Sequence, residues 1–307
     1  MVETAAGWHP SVPKPTGGPS VPGSPKRGRR LRTAAWAAAI LAVAVAVPLS
    51  VTASMHDDAV KPVGGPPGAI WNIQLNENFS EDTSALLNSG RWHAGWFGDG
   101  QLSEAVNSLE TSLYSTGNLS VAHGVARLDV TPNSARRSLS NGTRQPNLGA
   151  AINSDKAQAS DGFMFTYGYV EARLQMPAGT PAEGVWPSFW LNGETWPNDM
   201  EIDIVEGDGT DQGCTFNIHY GPGKDTTNLN DNMRTRTVRG ATSGMHTYAA
   251  DVRPDGVTFY YDGKATYAYN GMVPDKPRYV VFGNSSSATV SARHSLLIDY
   301  VREWSQP

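Results

Sequence analysis

Residues 184–206 read Gly184-Val-Trp-Pro-Ser-Phe-Trp-Leu-Asn-Gly193 and then, after Glu194 and Thr195, Trp196-Pro-Asn-Asp-Met-Glu-Ile-Asp-Ile-Val-Glu206. The last six residues decide the most. Taken as a strand, whose side chains alternate between faces, they put Glu201 and Asp203 on one side and Ile202 and Ile204 on the other. Glu206 is five positions from Glu201, so a regular pleat sends it to the wrong face. One extra residue, a β-bulge near Ile204-Val205, brings it back beside the other two acids. The stretch therefore predicts a strand with one buried aliphatic face, one acidic face and a kink at a stated place.

Outward from this stretch the same grammar continues from about Ile70 to the end of the chain. Short alternating runs are separated by Gly, Asn, Asp and Pro: Leu119–Ala122, Ala126–Val130, Tyr167–Met176, Val257–Tyr261, Tyr279–Phe282 and Leu296–Trp304. Asp262-Gly263 sits between two of them and predicts a type I′ hairpin, because that turn needs positive φ at both central positions. No stretch in this region keeps a helical period, and no internal repeat is present. The fold class expected is all-β, a sandwich or barrel of about 240 residues.

Composition agrees. With 39% hydrophobic and 17% charged residues in 307, the chain is too apolar for a disordered protein and too polar for a multi-span membrane protein. The single cysteine, Cys214, excludes an intramolecular disulfide framework and any Cys-rich metal site. Nine Trp and eleven Tyr beside 32 Gly and 21 Pro suit a turn-rich β domain that stacks flat ligands such as sugars. Residues 1–32 hold six basic side chains against Glu3 alone. Setting these aside from totals of 24 and 29 leaves 18 basic and 28 acidic groups. An acidic body repels phosphate backbones, so no nucleic-acid partner is expected.

Four segments follow. Residues 1–32 are Pro-rich and basic, without apolar periodicity, and read as disordered. Residues 33–55 form an uncharged run with its apolar heart at Ala34–Val47. Two readings stay open for it: a signal-peptide h-region followed by a small-residue cleavage site, or one uncleaved transmembrane anchor. Either puts the remainder outside the cytoplasm, secreted or membrane-anchored. Residues 56–68 read as a linker, and 69–307 as the functional domain, expected to be a monomer.

Three carboxylates on one face repel one another, and stability gives no reason to collect them. Glycosidic hydrolysis does: one carboxylate attacks the anomeric carbon and one carboxylic acid protonates the leaving oxygen. With the bulge counted out, Glu201 and Glu206 lie four strand steps, roughly 13 Å, apart at Cα. Two Glu side chains reaching towards each other then approach the ~5–5.5 Å of a retaining enzyme rather than the ~6.5–9.5 Å of an inverting one. Asp203, between them, would hydrogen-bond the nucleophile and keep a proton in the cluster. A bare acidic strand is ordinarily just a solvated face. Here Trp186, Trp190 and Trp196 stand within fifteen residues upstream, and indoles stack on the apolar face of sugars.

Glu201-Ile-Asp-Ile-Val-Glu206, preceded by Trp186-Pro-Ser-Phe-Trp190, resembles the signature of glycoside hydrolase family 16 in its bulged form, that of laminarinase-type endo-β-1,3-glucanases, agarases and carrageenases. Tyr167–Pro177, Asn217-Ile-His219-Tyr220, His246-Thr-Tyr248 and Ile298-Asp-Tyr-Val-Arg302 resemble further family segments, so the likeness covers about residues 70–305. It implies a jelly-roll β-sandwich of two curved antiparallel sheets, akin to concanavalin A-like lectins, with a concave substrate cleft. It also implies Glu201 as nucleophile, Asp203 as assisting acid and Glu206 as general acid/base, with Trp186, Trp196, His219 and Arg173 lining the cleft. No cofactor or catalytic metal is expected. Some members hold a structural calcium on the convex side, and Glu77 and Asp299 are the acids that would contribute. Two departures stand out: Met200 occupies a position where Gly or Pro is common, and Phe282–Ser287 only loosely matches the Asn-bearing strand that helps bind a sugar.

The resemblance implies a retaining endo-β-glycanase, with β-1,3-linked glucan as the expected polysaccharide. Alternatives are an endo-hydrolase of galactan or agar chains, a transglycosylase, and a non-catalytic lectin-like module of the same sandwich type. No His-Glu-x-x-His, Gly-x-Ser-x-Gly or phosphate-loop motif offers another chemistry.

Overall fold

The structure, a computed structural model, describes residues 60–96, 100–211, 213–221, the backbone of 227–228, and 238–306. Residues 1–32 and 33–55, read above as a disordered leader and a signal or anchor, and residues 56–59 of the linker lie outside this range. Among the described residues no helix is long and apolar enough to cross a membrane.

The regular structure of the described chain is almost entirely strand. In order they are β1 (Asn72–Glu77), β2 (His93–Ala94), β3 (Leu102–Ser103), β4 (Ser112–Ser115), β5 (Leu119–Ala122) and β6 (Val125–Pro132). Next come β7 (Asn147–Asn153), β8 (Met164–Phe165), β9 (Gly168–Gln175), β10 (Val185–Gly193), β11 (Glu201–Glu206) and β12 (Thr215–Tyr220). The last six are β13 (Thr227–Asn228), β14 (His246–Arg253), β15 (Gly256–Tyr261), β16 (Lys264–Tyr269), β17 (Arg278–Ser286) and β18 (His294–Ser305). A six-residue helix, Thr83–Asn88, follows β1 and is capped by Asp82, which accepts from Ala85 N at 2.9 Å. The hairpin joining β15 to β16 has φ of 46° at Asp262 and 74° at Gly263, the doubly left-handed turn the sequence predicts.

The strands form the two antiparallel sheets of a jelly roll. One runs β16–β15–β14–β9–β18, with β6 and β1 end to end along the far edge of the long β18 and β5 outside β6. The other runs β13–β12–β11–β10–β17, continued by β7 and β8 and then β2. The sheets meet where β6 pairs with the start of β7; β4 adds to β7 in parallel.

Period-two alternation builds the core between the sheets. Phe189, Leu191, Ile202, Ile204, Ile218, Val280 and Phe282 from one side meet Val170, Ala172, Leu174, Ala250, Phe259, Ile298 and Val301 from the other, all fully buried. Phe189 and Phe282 stack across β10 and β17 at 4.7 Å between centroids. Each large side chain buried this way contributes about 1.5–3 kcal/mol. One residue in this layer breaks the pattern. Glu303 shares its face with Val170 and Leu75, opposite it in register, is 0% exposed, and neither carboxylate oxygen has a hydrogen-bond partner. Gly168 makes room for it: a Cβ there would sit 2.0 Å from Glu303 Oε1. Burial alone pushes the Glu303 carboxyl up to about 8.

The outer face of the first sheet carries its own aromatic cluster, Tyr169, Tyr260 and Trp304, covered by Val60 and Trp71. Trp304 Nε1 donates to Val60 O at 2.8 Å, and Val63 N donates to Glu171 Oε2 at 3.0 Å. Residues 60–68 are therefore no free linker, as the Gly/Pro composition suggested, but a strap laid along the sheet. Its backbone groups find partners on β9 and β18, which composition does not reveal.

Candidate active site

The acidic strand β11 lies between β10 and β12. Against β12 it pairs Glu201 with His219 and Asp203 with Asn217, then Glu206 with Thr215, one residue out of step. Against β10, Asp203 faces Trp190 and Val205 faces Phe189, leaving Ile204 as the extra residue. The bulge is where the sequence required it. Ile204 and Val205, adjacent in the chain, both turn into the core at 0% exposure, and Glu206 is thereby returned to the open face. Glu201, Asp203 and Glu206 line one pocket together with Trp186, Ser188 and Trp190 of β10.

Each acid is held by a named group. Trp186 Nε1 donates to Glu206 Oε1 at 2.8 Å, and Trp196 Nε1 donates to Glu201 Oε2. His219 Nε2 lies 3.3 Å from Asp203 Oδ2 and 2.9 Å from the Asn217 amide, and Asp203 is only 2% exposed. The turn leading into Glu201 is fixed from below. Arg278, fully buried, donates from Nε to Met200 O at 3.0 Å and from its other nitrogens to Thr166, Lys276 and Pro274 carbonyls. Met200 itself has φ of 64°, a left-handed conformation that glycine adopts without strain and proline cannot adopt.

The electrostatics couple these groups. Burial first, then the charge of Asp203, pushes Glu201 up to about 8; the charge of Glu206 adds to this, while the His219 cation and the Trp196 indole pull the other way. Burial pulls His219 down, but the Asp203 hydrogen bond and the charges of Asp203, Glu201 and Glu206 outweigh it and carry it up to about 10. At neutral pH the set thus holds an imidazolium, and its carboxyl groups retain a proton among them. A pocket with one carboxylic acid beside carboxylates is equipped to donate a proton to one atom while an anion approaches another. Donor atoms of Glu201, Asp203 and His219 lie within 4.8 Å of one another, a spacing a metal ion would accept.

Of the sequence-predicted site residues, Glu201, Asp203, Glu206, Trp186, Trp196 and His219 come together. Arg173 does not. It sits on β9 in the other sheet, between inward-facing Ala172 and Leu174, and its guanidinium pairs with Asp299 at 2.6 Å. Alternation along a strand gives the face but not the sheet. The two acids suggested for calcium are likewise engaged elsewhere. Asp299 holds Arg173, while Glu77 accepts from Phe79 N and Trp92 Nε1 and lies 3.6 Å from Arg91. They do not fit the ion as a donor pair.

Sequence reasoning missed a second polar group in the pocket. Glu110, 7% exposed and just before β4, accepts from Ser285 Oγ at 2.8 Å; Tyr114 also lines the pocket and bonds the same carboxyl. Burial pushes Glu110 up to about 7 against the pull of Ser285, Tyr114 and the backbone N–H groups of Val106 and Asn107. No motif marks it. Asn284, the asparagine that the loose match on β17 brought to notice, turns inward and donates to Leu128 O and His294 O.

A curved antiparallel sandwich carrying a bulged row of acids under two indoles has counterparts among known proteins. The profile of glycosyl hydrolases family 16 matches residues 107–302, and the chain belongs to that family. An endo-1,3-1,4-beta-glycanase of Rhizobium meliloti is 28% identical over 62% of this chain and 42% of its own length. A beta-1,3-glucan-binding protein of Penaeus monodon is 27% identical over 52% of this chain and 49% of its own. The chain thus spans under half the length of the curated relatives it matches first. Among solved structures, the catalytic domain of an endo-1,3-beta-glucanase (laminarinase) from Thermotoga petrophila superposes with a TM-score of 0.61 at 18% identity, over 78% of this chain and 99% of that one. That likeness is one of fold.

Proposed function

We propose that this protein is a retaining endo-β-glycanase that cleaves a β-glucan, β-1,3-linked, outside the cytoplasm. The observation that carries the reading is the bulge at Ile204-Val205, which gathers Glu201, Asp203 and Glu206 on one face beneath the Trp186 and Trp196 N–H groups. The proton that burial favours on Glu201 is shared within the cluster; with it passed to Glu206, the ionised Glu201 attacks the anomeric carbon while Glu206 gives that proton to the leaving oxygen. Water, deprotonated by Glu206, then releases the sugar from Glu201. Asp203 positions the nucleophile, and the His219 cation offsets the repulsion that gathering three acids creates. The side chains present supply acid, base and nucleophile, so the reaction needs no cofactor. The β-glucan assignment draws on the names of the relatives, and the location on the basic and apolar run preceding residue 56.

Glu201→Gln keeps the shape and the Trp196 contact but cannot attack; turnover on laminarin should vanish. NMR of the anomer first released from laminarin by the wild-type chain should show retention. Inversion, or full activity in Glu201→Gln, overturns the mechanism. The relative named for binding glucan keeps a non-catalytic reading in view. That reading predicts intact laminarin after long incubation, with binding unchanged in Glu201→Gln.

A further inference from the structure

The pocket is not complete with the acids. Across the sheet, Glu206 pairs with Ser188, Ser188 with Gly283, and Trp186 with Ser285. Gly283 and Ser285 therefore lie two strands from the acidic row, about 10 Å at the usual ~4.8 Å spacing, on the side away from His219. Gly283 lies beneath the Ser188 and Tyr114 hydroxyl groups that line this side of the pocket. A Cβ on it would come within 2.9 Å of Ser188 Oγ and 3.7 Å of the Tyr114 hydroxyl. The carboxyl of Glu110 lines the pocket on this side, brought in by the loop before β4 and tied to Ser285 across 175 residues of sequence. The asparagine next door, Asn284, points into the core and offers the pocket nothing.

We propose that Glu110, with Ser285 as its partner, is a specificity-determining residue. Its carboxyl recognises the hydroxyls of the sugar unit that settles against Ser188 and Ser285, on the β17 side of the bond being cut. This rests on the glycanase reading and adds to it the group that selects the sugar. The chemistry suits the task. A buried carboxyl already fixed by two hydroxyl groups is oriented before the ligand arrives, and a pyranose presents hydroxyl groups that both donate and accept. Trp186 and Trp190, on the same face, supply apolar walls to either side. The bland alternative is that Glu110 only clamps its loop, since it also accepts from the Val106 and Asn107 amides.

The two are separated by measuring binding and turnover along with stability in the full chain. Calorimetric titration of β-1,3-linked gluco-oligosaccharides into Glu201→Gln gives the reference affinity. Adding Glu110→Gln, which preserves size and hydrogen bonding to the loop, should weaken binding about tenfold with little change in melting temperature. Ser285→Ala, which frees the carboxyl to turn, should weaken binding to a smaller degree. On the otherwise active chain, Glu110→Gln should raise KM for glucan more than it lowers kcat. Unchanged affinity and unchanged kcat/KM in both variants would reduce Glu110 to a clamp and leave the glycanase reading standing. A wild-type chain inert towards every polysaccharide would instead remove that reading, and this one with it.

Discussion

Glu303 offers a measurement in which one buried proton can be followed through folding. Below its ordinary value of 4.5 the carboxyl is neutral in both folded and unfolded chains. Above 4.5 the unfolded chain releases the proton. The folded chain keeps it up to about 8, because no group in the core receives the charge. The folded state then binds more protons than the unfolded, so stability falls as pH rises through this window. Each pH unit costs about 1.4 kcal/mol, about 3 kcal/mol by pH 7 and about 5 at pH 8 and above. Glu303→Gln keeps the volume but cannot titrate. Urea unfolding of the two proteins at pH 5, 6, 7 and 8 should therefore give nearly equal stabilities at pH 5 and a gap of about 3 kcal/mol in favour of Gln at pH 7. Other carboxylates cancel in the difference. A gap that stays constant from pH 5 to pH 8 would refute the reasoning, because it would mean that the carboxylate finds a partner when it ionises. Glu303→Met, which also removes the unpaired polar atoms, should be more stable than either protein at pH 7.

Other outcomes follow from the site. His219→Gln removes the cation that favours the ionised acids, so the rising limb of kcat/KM against pH should move about one unit alkaline; an unmoved limb would separate His219 from the titrating set. Trp196→Phe keeps the ring but loses the N–H donated to Glu201, and kcat should drop about tenfold or more with KM little changed. Arg278→Met strands the carbonyls of Met200, Thr166, Lys276 and Pro274 and should cost about 3 kcal/mol in urea unfolding. Arg278→Lys, a point donor in place of a fork, should recover only part of it.

The parts of this fold legible in sequence are those set by local period. Glu201–Glu206 forced a choice between a stray glutamate and a bulge, and parity alone placed that bulge at Ile204-Val205. Asp262-Gly263 fixed a hairpin because few residues accept two positive φ angles in a row. What stayed hidden depends on contacts between distant segments. Alternation placed Arg173 on a face but not on a sheet, and the wrong sheet takes it out of the pocket. Glu110 carries no local signature, since its partner lies at Ser285. The Gly/Pro-rich stretch 60–68 looked free because its anchors, Glu171 and Trp304, come more than a hundred residues later. Glu303 was invisible for the opposite reason: its position reads as core, and nothing local explains a carboxyl there.

The strap across Tyr169 and Trp304 also settles an orientation. Residue 60 enters the domain on the outer surface of the first sheet, and the acids open from the outer surface of the second. Entry point and acidic pocket therefore lie on opposite faces of the sandwich, with the full thickness of both sheets between them.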